Sequence, residues 1–331
     1  MVFALLAVLI LVAVAWLGVQ VPGGQVLFGI LIPYAALLTF LSGLIYRVMR
    51  WAQAPVPFRI PTTCGQQRSL PWIRYARLDN PFTPGEAAGR VALEVLFFRS
   101  LFRNLKAGLR EGPKLVYQWE KWLWLGALLF HWSLFTVLLR HLRLVTDPVP
   151  ALVPLVEGVD GFLRVGVTAL YLTDVTLIVG IGYLVLRRAL HLQVRYVSLP
   201  SDYFLPLLIL GVAATGVLMR YFFRVDITAV KELAMGLVTF HPVVPAGVGE
   251  LFYVHLFLVS TLLACFPFTK LVHMAGIFLS PTRNLANNNR AVRHVNPWDY
   301  PVAVHTYEEY VEEFGKHMVQ AGIPVGKEGE E

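Results

Sequence analysis

Four histidines lie on two apolar stretches of this chain. His131 and His141 are ten residues apart in WLWLGALLFHWSLFTVLLRHL, and His255 and His273 are eighteen apart in LFYVHLFLVSTLLACFPFTKLVHMAGIFL. A histidine inside a membrane is costly and tends to be functional. Two such residues on each of two spans supply two bis-imidazole iron centres of the b-haem type, each taking one ligand from each helix. The chemistry so implied is electron transfer through the bilayer.

The elements that hold these residues are membrane helices. The chain has 331 residues, 56% hydrophobic and 15% charged, with a mean hydropathy of +0.61. Several apolar runs reach the length of about 18 residues or more that a bilayer crossing needs. We read six spans, at roughly 2–20, 25–47, 122–142, 165–186, 203–223 and 250–279. The expected fold is an all-α membrane protein whose last four helices form the dihaem bundle. Its parts are a transmembrane hairpin at 1–47, a basic loop with an amphipathic helix at 48–121, the four-helix cytochrome b domain at 122–280 and a tail at 281–331. No cleaved signal peptide is evident, since the first residues lack a basic stretch and an A-x-A site.

The formal net charge of +7 would raise nucleic acid as a partner of a soluble protein. Here the excess lies in loops, so the bilayer is the partner and nucleic acid is not. Arg50, Arg59, Arg68 and their neighbours through Lys121, then Arg187, Arg188 and Arg195, then Arg283, Arg290 and Arg293 all fall on one side. The positive-inside rule makes that side, with both termini, cytoplasmic. Arg140, Arg143, Arg164, Arg220, Arg224 and Lys231 lie on the other side, mixed with Asp147, Glu157, Asp160 and Asp226. The two cysteines, Cys64 and Cys265, are too few for an iron–sulfur cluster, so such chemistry belongs to a partner.

Depth then sets the pairing. With inward termini the third span runs outward and the sixth inward, which matches His131 with His273 as the inner pair and His141 with His255 as the outer. On straight helices ten residues rise about 15 Å and eighteen about 27 Å, a mismatch of about 12 Å for tilt and side-chain reach to absorb. Arg140 and Arg143 flank the outer pair, while Lys270 and Lys121 lie near the inner; these cations are candidates for haem propionates. Gly126 and Gly276 are candidates for close approach of a porphyrin edge. Asp174, taken as a lone carboxylate within a span, is read either as a proton route or as a hydrogen bond to a neighbouring helix. His191, His241, His294, His305 and His317 are assigned to solvent or partner faces. GEAAGRVALEVLFFRSLFRNLKAGL reads as an amphipathic surface helix or an ordinary loop helix, and ITAVKELAMGLVTFHPVVP as a second interfacial helix. A cofactor-free transporter is disfavoured, because neither internal repeats nor broken helices are visible, and a haem-free anchor leaves the histidine pattern unexplained.

The ten and eighteen spacings resemble those of the respiratory nitrate reductase gamma subunit family over roughly residues 115–280. The added N-terminal hairpin, the long basic loop and the tail SPTRNLANNNRAVRHVNPWDYPV resemble the DsrM family, the membrane cytochromes b of the sulfite-reduction-associated DsrMKJOP complex. That resemblance implies two haems b and exchange of electrons with menaquinone. It implies a cytoplasmic iron–sulfur partner similar to DsrK. Further implied partners are a multihaem cytochrome c, a periplasmic iron–sulfur protein and a second quinone-interacting membrane subunit. It also places a quinol site beside the outer haem, for which Arg143, Asp160 and Arg164 are candidates by depth. A nitrate reductase gamma subunit or a heterodisulfide reductase cytochrome b subunit is the neighbouring alternative.

Overall fold

The structure, a computed structural model, describes residues 1–54, 65–112, 114–165, 168–280, 283–292 and 303–326. Arg59, Cys64, Arg293, His294 and the side chain of Arg164 lie outside the described residues. The protein is mostly helical. Helix α1 spans Val2–Gly18, and α2 runs Gly24–Ala52 with a π-turn at Leu27–Leu31. Helix α3 is Pro84–Phe97, α4 Lys121–Val145, α5 Leu152–Asp160 and α6 Leu172–Leu190. Helix α7 is Pro200–Tyr221, α8 Ile227–Val238, α9 Glu250–Cys265, α10 His273–Leu279 and α11 Tyr307–Gln320. Among the described residues, four segments are long and apolar enough to cross a membrane: α2, α4, α7 and Glu250–Phe268.

Helix α4 packs on α6, α6 on α7, and α7 on α9, while α2 and α1 close against α9 and α7. The histidine-bearing helices α4 and α9 therefore face each other across a frame that α6 and α7 hold. In lipid there is no hydrophobic force between helices, so close packing at small residues carries the association. Gly126 of α4 illustrates this. A Cβ there would lie 2.4 Å from the Tyr183 ring of α6. The close approach expected of Gly126 thus serves a helix crossing, and Gly276 is likewise beside Trp51, 3.4 Å from where a Cβ would be.

Three elements differ from the sequence reading. The last apolar segment is broken. Helix α9 ends at Cys265, two 3-10 turns follow at Phe266–Phe268 and Lys270–Val272, and α10 begins at His273. Buried Pro267 has no N–H to continue the ladder, and Thr269 is fully extended at φ −123°, ψ −179°. Hydropathy runs unbroken through FPF, which hides the break, so the absence of broken helices cannot be counted against a transporter. The fourth span starts at Leu172 rather than near 165, because Leu163–Val165 and Thr168–Leu170 form an antiparallel pair, β3 and β4. The basic loop holds a second hairpin, β1 (Leu105–Arg110) against β2 (Lys114–Trp119). It takes up the end of the expected surface helix. Ile227–Val238 is helical as expected, with Asp226 capping Thr228 and Ala229 N–H.

Helix α3 opens with a capping box: Thr83 Oγ1 accepts from Glu86 N–H and Glu86 from Thr83 N–H, a device worth about 1 kcal/mol. Tyr75 hydroxyl also donates to Glu86, at 2.7 Å. The first part of the tail docks on the same loop. Buried Asn287 donates from its backbone to Pro81 O (2.5 Å) and from its amide to Asn80 Oδ1 (2.8 Å), while Gln67 donates to Asn289 Oδ1 at 2.7 Å. The asparagine run therefore folds onto this chain.

Candidate metal centre

The structure brings the four histidines together in two pairs. The rings of His141 and His255 are 6.5 Å apart centre to centre and nearly parallel, at 12°. Those of His131 and His273 are 6.1 Å apart and nearly perpendicular, at 84°. A metal–imidazole bond of about 2.0–2.1 Å, with roughly 1.1 Å from nitrogen to ring centre at each end, puts two imidazoles on opposite sides of one metal about 6.3 Å apart. Both pairs have that separation. The helix break contributes, because His273 sits on α10 rather than at the end of a straight span.

Each imidazole is also oriented. His131 Nδ1–H donates to Ala127 O (2.8 Å), His141 to Val137 O (2.7 Å) and His273 to Lys270 O (2.8 Å). A carbonyl only accepts, so the proton is on Nδ1 and the Nε2 lone pair is left for a metal. His255 Nδ1 meets Thr215 Oγ1 at 2.9 Å. That hydroxyl donates to Gly211 O, so it accepts from His255. Thr215, buried on α7, is a side chain at the histidine pair that the sequence reading missed; its signal is a hydroxyl within an apolar span. Among the described residues no cluster of three or more potential metal-ligating side chains exists. Two imidazoles alone suit an iron whose other positions come from a porphyrin.

Aromatic rings wall the inner pair. Phe98 and Phe130 present T-shaped contacts to His131 at 4.9 and 4.8 Å. Phe98 has φ +50°, a left-handed conformation uncommon in a residue of this size. It caps the C-terminus of α3. Trp124 and Trp132 of α4 hold that terminus, donating to Phe97 O (2.7 Å) and Leu96 O (2.9 Å), two carbonyls that a helix end leaves without partners.

A charged network lies one residue from the outer pair. Arg140 of α4 bonds Asp174 and stands 3.5 Å from Asp160. Tyr221 hydroxyl donates to Asp174 at 2.8 Å, and Arg220 is 3.9 Å from the same carboxylate. Thr173 donates to Asp160 through its N–H (2.8 Å) and its hydroxyl (2.5 Å). Both arginines lie 3.9 Å from the Tyr171 ring centre. Asp174 is thus neither lone nor mid-span. It occupies the first turn of α6, where a helix N-terminus favours an anion. Two arginines and two aspartates balance in charge and tie α4, α5, α6 and α7 together, which is the behaviour of a structural clamp.

The remaining cations have partners of their own. Arg143 pairs with Glu157 at 2.5 Å and Lys270 with Asp202 at 2.5 Å. Lys121 sits 3.8 Å over the Trp119 ring. To bind a propionate, Arg140, Arg143 or Lys270 must share or exchange its carboxylate.

A helical membrane protein with two facing histidine pairs on separate helices is thereby defined. Residues 113–294 match the model of the nitrate reductase gamma subunit family, and the chain belongs to that family. It is 46% identical over 281 residues, 83% of this chain and 84% of the relative, to the Hdr-like menaquinol oxidoreductase cytochrome b-like subunit of Archaeoglobus fulgidus. It is 41% identical over 275 residues, 81% of each, to the protein of that name from Archaeoglobus profundus.

Proposed function

We propose that this chain is a dihaem cytochrome b subunit that exchanges electrons between menaquinol and a cytoplasmic iron–sulfur partner. The observation that carries the reading is the pair of ring separations, 6.5 and 6.1 Å, between histidines whose Nδ1 atoms are all engaged. The names of the two relatives, which join a cytochrome b-like subunit to a menaquinol oxidoreductase, support it. In this reading the protein crosses the inner membrane six times with both termini in the cytoplasm. His131 and His273 hold the inner haem iron, and His141 and His255 the outer.

Haem b supplies one-electron redox chemistry at each centre. The chain's own residues hold the imidazoles, fix their tautomers through Ala127, Val137, Lys270 and Thr215, and keep water from the inner centre with Phe98 and Phe130. Arg143, Asp160 and Arg164 mark the quinol side. There the clamp around Asp174 fixes the mutual positions of α4, α6 and α7, which favours a positioning role for Asp174 over proton transfer. The basic inner loop and the tail from 281 contact the iron–sulfur partner, a DsrK-like subunit. The multihaem cytochrome c, the periplasmic iron–sulfur protein and the quinone-interacting membrane subunit complete a sulfite-reduction complex.

Pyridine haemochrome analysis of the purified protein with dithionite-reduced spectra tests the reading. We expect two haems b per chain. Ala substitution of His131 or His273 removes one of them and of His141 or His255 the other. A folded protein without haem refutes the proposal.

A further inference from the structure

Arg47 lies in the last two turns of α2, where Ile45, Tyr46 and Met49 are exposed on one side and Gly43 is buried on the other. Its Nε is buried without a hydrogen-bond partner, and no carboxylate among the described residues pairs with it. An arginine near the end of a span ordinarily snorkels its charge to the headgroups. Here the root of the guanidinium is enclosed by the chain itself, and a charge so placed needs a counter-charge.

The packing of α2 on the last segment fixes where that counter-charge belongs. Phe40 meets the Phe266 ring edge-on at 5.4 Å. A Cβ at Gly43 would lie 2.9 Å from both Pro267 and Phe268, and one at Gly276 3.4 Å from Trp51. Gly43, Arg47 and Trp51 succeed one another at i, i+4 and i+8, on one helix face. Arg47 is thus set against the stretch between Phe268 and Gly276, which holds the break and His273. Four other cations at this end have partners: Lys270 and Arg188 share Asp202, Arg187 holds Glu120, and Lys121 lies over Trp119.

We propose that Arg47 binds a propionate of the inner haem, an inference that rests on the dihaem reading above. A guanidinium grips a carboxylate through two parallel hydrogen bonds, and haem brings the carboxylates that this end of α2 lacks. A lipid phosphate offers the same anionic oxygens, but the enclosed Nε favours a ligand held within the chain. Helix α2 lies outside residues 113–294, which match the family model. The N-terminal hairpin thereby contributes a group to the inner centre as well as packing on α7 and α9.

The test is titration of the full-length apoprotein with iron protoporphyrin IX and with its dimethyl ester, which lacks the propionate charges. The wild-type protein binds the ester at least about tenfold more weakly at one of its sites, as loss of a charged hydrogen bond predicts. Arg47→Gln weakens protoporphyrin binding at that site by the same factor and leaves ester binding unchanged, and Arg47→Lys recovers part of the loss. In the His273→Ala chain, which keeps the outer pair, Arg47→Gln has no effect. Equal affinity for acid and ester at both sites of the wild-type protein overturns the proposal, and that comparison needs no variant. So does a loss in Arg47→Gln that persists with the ester, which marks packing alone. Wild-type affinity in Arg47→Gln also overturns it and leaves lipid phosphate as the partner. Uptake of no haem at all overturns the dihaem reading and this proposal with it.

Discussion

Replacing Thr215 with Val keeps the shape of the side chain and removes the hydroxyl that meets His255 Nδ1, at 2.9 Å. The other three histidines use backbone carbonyls, so this is the position where a side-chain change reaches the orienting hydrogen bond. The N–H then loses that hydroxyl in a region where Thr215 itself is only 7% exposed, and the Val212 carbonyl is the acceptor left near it. Loss of such an outer partner weakens metal binding by roughly 10- to 100-fold. The imidazole also becomes a poorer electron donor, which favours ferrous over ferric iron. A tenfold change in that preference is about 59 mV for one electron. We expect Thr215→Val to weaken the outer centre by that factor and raise its potential, leaving the inner centre unchanged. Haem titration of the apoprotein and a spectroscopic redox titration read both quantities. Two haems bound with wild-type affinity and potentials would refute the hydrogen bond's role.

Three further outcomes follow from the packing and charge. Arg140→Leu strands Asp160 and Asp174 in the clamp; breaking a buried pair costs about 3–5 kcal/mol, so the melting temperature falls, and a variant as stable as wild type contradicts the clamp. Gly126→Leu drives a side chain into the Tyr183 ring and destabilises by about 1–3 kcal/mol, a loss that Tyr183→Ala in the same chain restores in part; an additive double mutant means the two do not touch. Asp79 is held below the ordinary carboxylate pKa by its hydrogen bonds from Arg99 and Arg103. Its contribution is full above the unfolded value of about 3.9 and is lost as pH falls through the lower folded value. Hydrogen exchange across 76–103 should therefore quicken on acidification below about pH 4, and Asp79→Asn should lose that acid step; an unchanged profile counts against the linkage.

The histidine pairing was legible because span direction and depth are properties of the chain alone. His131 must lie at the depth of His273 once the sixth segment runs opposite to the third, and the rings do meet. The break at Pro267 was not legible, since Phe266 and Phe268 keep the hydropathy high through it. Asp174 was misplaced for a similar reason: the residues before Leu172 are apolar enough to extend a helix, yet pair as strands. Its partners Arg220 and Tyr221 lie far along the chain, as does Thr215 from His255. Local pattern carries no information on such meetings. The amphipathic helix α3 was legible by period, whereas the left-handed Phe98 that ends it was not, because nothing in FFR requires it.

The break after Cys265 divides the last crossing into two independently seated pieces. His255 is anchored in α9, which is wedged among α7, α2 and α1. His273 begins a separate seven-residue helix whose far end leads into the segment stitched to Asn80 and Pro81. The link between the pieces is extended backbone at Thr269. His255 is thus a fixture of the helical frame, and His273 is suspended from the basic loop. Strain applied to that loop reaches His273 first, so the His131–His273 pair shifts while the His141–His255 pair keeps its alignment.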